Sequence, residues 1–172
     1  IGSAQEDIIL DFFSGSATLS QAIMELNAES GSNRKYILVQ LPEIIDDNPG
    51  AHNIGLSTIA SVGKERIRRA GKKIKEDSPL TTQILDTGFR VLKLDSTNME
   101  DVYYAPSEYS QEDLFSKTEN VKSDRTAEDL LFQVMLELGA TLDSKIESTE
   151  VAGKKIYNVA KGYLVACFDS EV

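Results

Sequence analysis

Two short apolar runs, "DIILDFF" (7–13) and "KYILVQL" (35–41), stand on either side of a small-residue turn and an amphipathic stretch. That order constrains the fold more than any other feature. Each run is too short for a helix and reads as a buried strand; Gly15 bounds the first and Pro42 stops the second. Between them Leu19, Ala22, Ile23 and Leu26 fall at i, i+3, i+4 and i+7, one face of a helix that Gly31 ends. Strand, turn, helix, strand within roughly 36 residues predicts a βαβ unit with parallel strands and a right-handed connection.

Beyond Pro42, "EIIDDNPGAHNIG" has no hydrophobic period and reads as a loop long enough to form a ligand rim. Ile59, Val62, Ile67, Ala70 and Ile74 then keep helical spacing, and their apolar side is expected to pack on the sheet. "FRVLKLD" (89–95) alternates like a third strand, and residues 96–125 are polar, with "SKTENVKSD" read as a mobile linker. Thr126 and Asp129 have the spacing of a helix cap. They precede "DLLFQVMLELG" (129–139), which carries Leu130, Leu131, Val134, Met135 and Leu138 on one side and ends at Gly139. Phe132 and Leu136 make that helix apolar nearly all round, so it is expected to be buried, in the chain or by a partner. "KIYNVAKGYLVACFD" (155–169) reads as a hairpin around "AKG".

Charge limits the function. Residues 1–75 hold nine Lys/Arg and nine Asp/Glu, so the net charge of −10 lies wholly in the remainder. An acidic chain is a poor autonomous nucleic-acid binder, because non-specific affinity comes mainly from neutralised phosphates. The exception, "KERIRRAGKKIK" (64–75), has seven basic residues in twelve; it could track a phosphate backbone, but a solvated helix face is the commoner outcome. No apolar run approaches the ~20 residues that span a bilayer, and the amino-terminal residues do not resemble a signal peptide. Cys167, the one cysteine, lies in "YLVACF" and is expected to be a buried, inert thiol. A cytoplasmic setting follows by default.

The turn in "DFFSGSATLSQAIMELN" (11–27) carries the chemistry. Gly15 permits a sharp bend, Ser16, Ala17 and Thr18 are small, and the first-turn amides of the helix favour an anion. Such turns serve nucleotide, flavin and S-adenosylmethionine sites, and also corners that bind nothing. A P-loop would need a lysine that is missing near Gly15, and the dinucleotide fingerprint would need two further glycines. A ligand with a carboxylate for the helix amides and an adenosine for the strand ends fits better, and S-adenosylmethionine has that constitution.

"DFFSGSAT" resembles the cofactor motif of amino-methylating DNA methyltransferases, Asp-x-Phe-x-Gly-Ser-Gly-Thr, with Ala17 in place of the second glycine. Together with "NRKYILVQLPE", "VGKERIRRAGKKI", "GFRVLKLD" and "DLLFQVMLELG", it is similar to the modification subunit of bacterial type III restriction-modification systems, over residues 6–169. The resemblance implies a DNA adenine-N6 methyltransferase that uses S-adenosylmethionine. It implies a cofactor loop of Asp11, Phe12, Phe13, Ser14, Gly15, Ser16 and Thr18, with Gln40 at the ribose hydroxyls and Glu43 as the alternative. "LSQAIM" departs from the family's "TTAHAVM" at Leu19 and Gln21. DNA, a second methyltransferase subunit and a restriction subunit are the implied partners, with no membrane.

The implied fold is the cofactor half of a Rossmann-like α/β methyltransferase (1–97), then a polar linker (98–125) and a helix-and-hairpin region (126–172). Enzymes of this class hold the flipped adenine with an Asp/Asn-Pro-Pro-Tyr/Phe loop. Pro42, Pro49, Pro79 and Pro106 are all isolated, so no catalytic residue is assigned. In the type III order that loop lies upstream, so the chain is expected to be an excised piece, inactive alone. His52, the one histidine, reads as an exposed loop residue, and Tyr103–Tyr104 as packing at a domain edge. Asp46–Asp47 and Asp86 lack ligand companions, so no metal is expected. The competing function is an assembly fragment, whose apolar helix and acidic surface contact another subunit.

Overall fold

The computed structural model describes residues 4–45, 54–79, 82, 84–100 and 120–169. The chain is an α/β protein that divides into two compact units, Ile1–Leu92 and Lys93–Val172. His52, Asp46–Asp47, Pro49, Tyr103–Tyr104 and most of the expected linker lie outside the described residues.

In the first unit, β1 (Ile8–Asp11) pairs in parallel with β2 (Lys35–Leu38), Ile8 opposite Lys35 and Asp11 opposite Leu38, as the βαβ pattern requires. Helix α1 (Thr18–Ser30) connects them and stops at Gly31, which takes a left-handed φ of 61°. Its buried stripe is Ser20, Ile23, Met24 and Asn27, whereas Ala22 is exposed, so the helix is rotated about one position from the apolar reading. Hydrogen bonding is the reason. Ser20 Oγ donates to the Ala17 carbonyl at 2.7 Å. Asn27 donates to the Arg34 carbonyl at 2.9 Å and accepts the Arg34 amide at 3.1 Å. Buried and satisfied, Asn27 ties the end of α1 to the start of β2.

Helix α2 (Ile59–Asp77) opens with a capping box in which Thr58 and Ser61 exchange side-chain and backbone bonds. Ile67 and Ala70 pack with Ala17 and Met24, flanked by Tyr36, Leu38, Ile74 and Phe89. The apolar side of α2 thus meets α1 as well as β2. The strands are only half covered: Ile8, Leu10, Ile37 and Val39 are each half exposed or more. Parallel sheets bury both faces, and among the described residues helices cover one. The expected third strand is not seen: residues 89–95 pair with no neighbour as a ladder among the described residues, and Leu94 is fully exposed. Alternation makes a segment suited to a sheet, but a strand needs a partner edge. Phe89 serves instead as a core residue, with Arg68 over its ring.

The second unit is a helix on an antiparallel meander. Thr126 and Asp129 form the expected capping box for α3 (Ala127–Glu137). Leu131 and Met135 are fully buried against Tyr157 and Val159, while Leu136 and Leu138 remain exposed, so burial covers one side of the helix only. The expected hairpin is present as β4 (Lys154–Val159) and β5 (Leu164–Cys167), with positive φ at Ala160, Lys161 and Gly162. A further strand, β3 (Ile146–Val151), pairs with β4. Its polar, exposed side chains gave no hydrophobic alternation to read. Cys167 is half-buried rather than enclosed. Near the expected linker, Met99 and Val121 form an antiparallel bridge, and Arg125 pairs with Asp95 at 3.3 Å.

Burial pushes the Tyr36 phenol up, with the charge of Asp86 adding to it, and its buried hydroxyl has no partner among the described residues. Tyr36→Phe is therefore expected to leave stability in chemical denaturation unchanged or raised, by up to about 1 kcal/mol. Met135→Ala should cost about 2–5 kcal/mol, because it opens a cavity beneath α3. The hydroxyl and amide of Thr126 hold the Asp129 carboxyl below its usual range. A lowered folded value means that this support is complete above the ordinary aspartate range and is lost as pH falls through the folded value. Asp129→Asn should therefore flatten the acid limb of a stability–pH profile.

Candidate functional site

The turn between β1 and α1 is built by continuing the sheet ladder past the strand ends. The Val39 amide donates to the Asp11 carbonyl at 2.8 Å, and the Ser14 amide donates back to the Val39 carbonyl at 3.2 Å. The Asp11 carboxylate accepts the Phe13 amide at 3.0 Å, which bends the chain out of the strand. Gly15, at φ 51°, then turns the chain, and its amide donates to Gln40 Oε1 at 2.7 Å. The Ala17 amide closes the turn on the Ser14 carbonyl at 2.8 Å.

The structure thus joins Asp11, Phe13, Ser14, Gly15 and Gln40 in one bonded cluster. Phe12 and Phe13 point outward with ring centroids 5.2 Å apart, Phe13 being 84% exposed. The Ser16 and Thr18 hydroxyls lie 3.5 Å apart. Glu43 belongs elsewhere: its carbonyl accepts the Ile59 amide at 2.9 Å at the entry to α2. Among the described residues no bond links Glu43 to the turn. Gln40 also donates to the Leu41 carbonyl at 3.3 Å.

Electrostatically the start of α1 favours an anion, while the Asp11 carboxylate lies on the strand side of the turn. Ala17, the residue that caps α1, has no side-chain oxygen, no side chain caps the helix, and the first turn has no acidic residue. A Cβ built on Gly15 would meet nothing within 4 Å, so the backbone there is open.

From the opposite side α2 braces the turn, a feature the sequence reading missed. A Cβ on Gly63 would lie 3.3 Å from Ala17 Cβ and 3.5 Å from the Gly15 carbonyl oxygen, so the helix backbone approaches closely. One helical turn on, Arg66 Nε donates to the Ser16 carbonyl at 2.8 Å, and Nη1 donates to Gln21 Oε1 at 3.3 Å. The available signal was positional: Arg66 falls beside Gly63, Ile67 and Ala70, on the helix face that packs inward. Among the described residues no group of three or more His, Cys, Asp or Glu could hold a metal ion, and no helix is long and apolar enough to cross a membrane.

Comparison with known proteins bears out the resemblance to type III modification subunits over about half of the chain, rather than over the whole of 6–169. The chain is 37% identical over 86 residues to the StyLTI Mod subunit of a type III restriction-modification enzyme from Salmonella typhimurium, covering 50% of this chain and 13% of that protein. It is 33% identical over 92 residues to the EcoPI Mod subunit of Escherichia phage P1, covering 54% of the chain and 14% of the relative. The EcoP15I Mod subunit of Escherichia coli is 37% identical over 89 residues, with coverage of 52% and 12%. The matches therefore span only about an eighth of these relatives' length. No protein-family model matches the chain.

The close approach at Gly63 makes the turn sensitive to bulk on α2. Gly63→Val should destabilise the first unit by about 1–3 kcal/mol in urea unfolding, since the added methyls meet Ala17 and the Gly15 carbonyl.

Proposed function

We propose that this chain carries the S-adenosylmethionine-binding part of a DNA adenine-N6 methyltransferase of a type III restriction-modification system. The single observation that carries the reading is the turn of residues 11–18, where a parallel βα junction presents an uncapped helix start and an open glycine. The similarity to Mod subunits supports placing that turn in a modification enzyme. The surrounding fold is read as the cofactor half of a Rossmann-like methyltransferase.

The donor set suits this cofactor. First-turn amides of α1 are free of any side-chain cap and would take the methionine carboxylate. The Ser16 and Thr18 hydroxyls can bond its polar groups, and the exposed Phe13 ring offers an apolar surface. Gln40, two residues past β2, would turn its amide from Gly15 to the ribose hydroxyls; Glu43 is the alternative. Bound there, S-adenosylmethionine supplies the methyl group for the adenine amino nitrogen. This chain's residues hold and orient the donor; the groups that receive the base belong to a Pro-Pro loop that this sequence does not contain. DNA, a second methyltransferase subunit and a restriction subunit are the proposed partners of the whole protein, in the cytoplasm.

A second reading rests on the half-exposed face of Ile8, Leu10, Ile37 and Val39, which favours a fragment that assembles with another subunit. Calorimetric titration with S-adenosylmethionine and sinefungin, beside sedimentation, separates the two. Weak saturable binding by a monomer, with no labelled methyl transferred to DNA, is the expected result. A stable dimer that binds neither ligand favours assembly, and methyl transfer by this chain alone contradicts the proposal.

A further inference from the structure

Within the basic run of α2 one arginine is set apart. Arg68 and Arg69 both pair with Glu65 at the surface, at 3.9 and 2.7 Å. Arg66 instead turns inward and forks over the site: Nε to the Ser16 carbonyl at 2.8 Å, Nη2 to the Ser16 hydroxyl at 3.5 Å, and Nη1 to Gln21 Oε1 at 3.3 Å. Gln21 is held in turn, donating to Glu25 at 2.9 Å.

The peptide that Arg66 grips is the one next to the strained residue. Ala17 sits at φ 60°, a left-handed conformation that its Cβ disfavours, and it is buried. Such a conformation persists only where its surroundings over-determine it. Here the Ala17 amide is tied to Ser14 and the Ser16 carbonyl to Arg66, so both ends of one peptide are fixed. The same fork reaches the Ser16 hydroxyl, which faces Thr18.

We propose that Arg66 is a positioning residue for the ligand-binding turn, holding the Ser16–Ala17 peptide in the conformation that presents the helix amides and the two hydroxyls. The inference rests on the cofactor reading above. It requires a fork, because a lysine at 66 keeps the charge but offers one compact donor group in place of three directed ones. It also makes the need for Arg66 conditional on Ala17: a glycine there adopts positive φ without strain and lessens the dependence on the brace.

The test uses the full chain and its Arg66→Lys, Arg66→Ala, Ala17→Gly and Ala17→Gly/Arg66→Lys variants. Sinefungin and S-adenosylmethionine affinities are measured by calorimetry, with thermal unfolding as the check on folding. Arg66→Lys should weaken both ligands by about tenfold. Adding Ala17→Gly to it should recover most of that loss. Wild-type affinity in Arg66→Lys, or a loss that Ala17→Gly leaves unchanged, overturns the proposal. If the wild-type chain binds neither ligand, the cofactor reading fails by itself, and amide hydrogen exchange across residues 14–19 tests the brace. Faster exchange in Arg66→Lys, slowed again by Ala17→Gly, then supports it; exchange equal to wild type overturns it.

Discussion

The bonds that carry the β1–β2 ladder beyond its last paired residues hold the rest of the first unit in place. Asp11 and Val39, Val39 and Ser14, then Gly15 and Gln40 form a continuous seam from regular sheet into irregular turn. Because the Ser14 and Gly15 amides are committed to Val39 and Gln40, the start of α1 is fixed relative to β2 rather than left to loop entropy. The buried Ala17 then becomes a core residue as well as a turn residue, packed with Met24, Ile67 and Ala70. Site and core are one construction here, and a change in either is felt in the other.

The elements that could be read in the sequence are those whose signals are local. The apolar runs at 7–13 and 35–41, which hold the shorter strands β1 and β2, the stop at Gly31 and the Thr126–Asp129 box each depend on a few adjacent residues, and each is present. What escaped depends on partners outside the segment itself. Residues 89–95 alternate correctly but meet no strand edge among the described residues, and β3 is held by pairing with β4 rather than by apolar side chains. The rotation of α1 was hidden because Ser20 and Asn27 are polar by letter yet buried by virtue of their backbone bonds. At the site, the letters gave the turn itself. They did not give Arg66, since among seven basic residues only its place beside Gly63, Ile67 and Ala70 marks the one that faces inward.

Charge within the first unit is arranged at two scales. Arg68, Arg69 and Lys72 are matched by Glu65 and Glu76 along the exposed side of α2, pairs that contribute little in water. At the turn the helix start has no acidic first-turn residue and the Arg66 guanidinium is bonded to the Ser16 carbonyl, with the Asp11 carboxylate at the end of β1, in a chain of net charge −10. Local potential, rather than the overall balance, is what a small carboxylate ligand would meet.

The two sheets also differ in how far apart in the chain their paired residues lie. In the meander, Val151 faces Lys154 and Val159 faces Leu164, so each pairing closes only a short loop and can form as soon as its own strands exist. In the parallel pair, Ile8 reaches Lys35 only after the whole of α1 has been passed. Contacts of the first kind favour rapid, early formation and those of the second are slow to close. The meander is therefore the natural nucleus of its unit. The turn that carries the candidate site is closed by a pairing that spans the whole of α1, so its shape depends on that helix being in place.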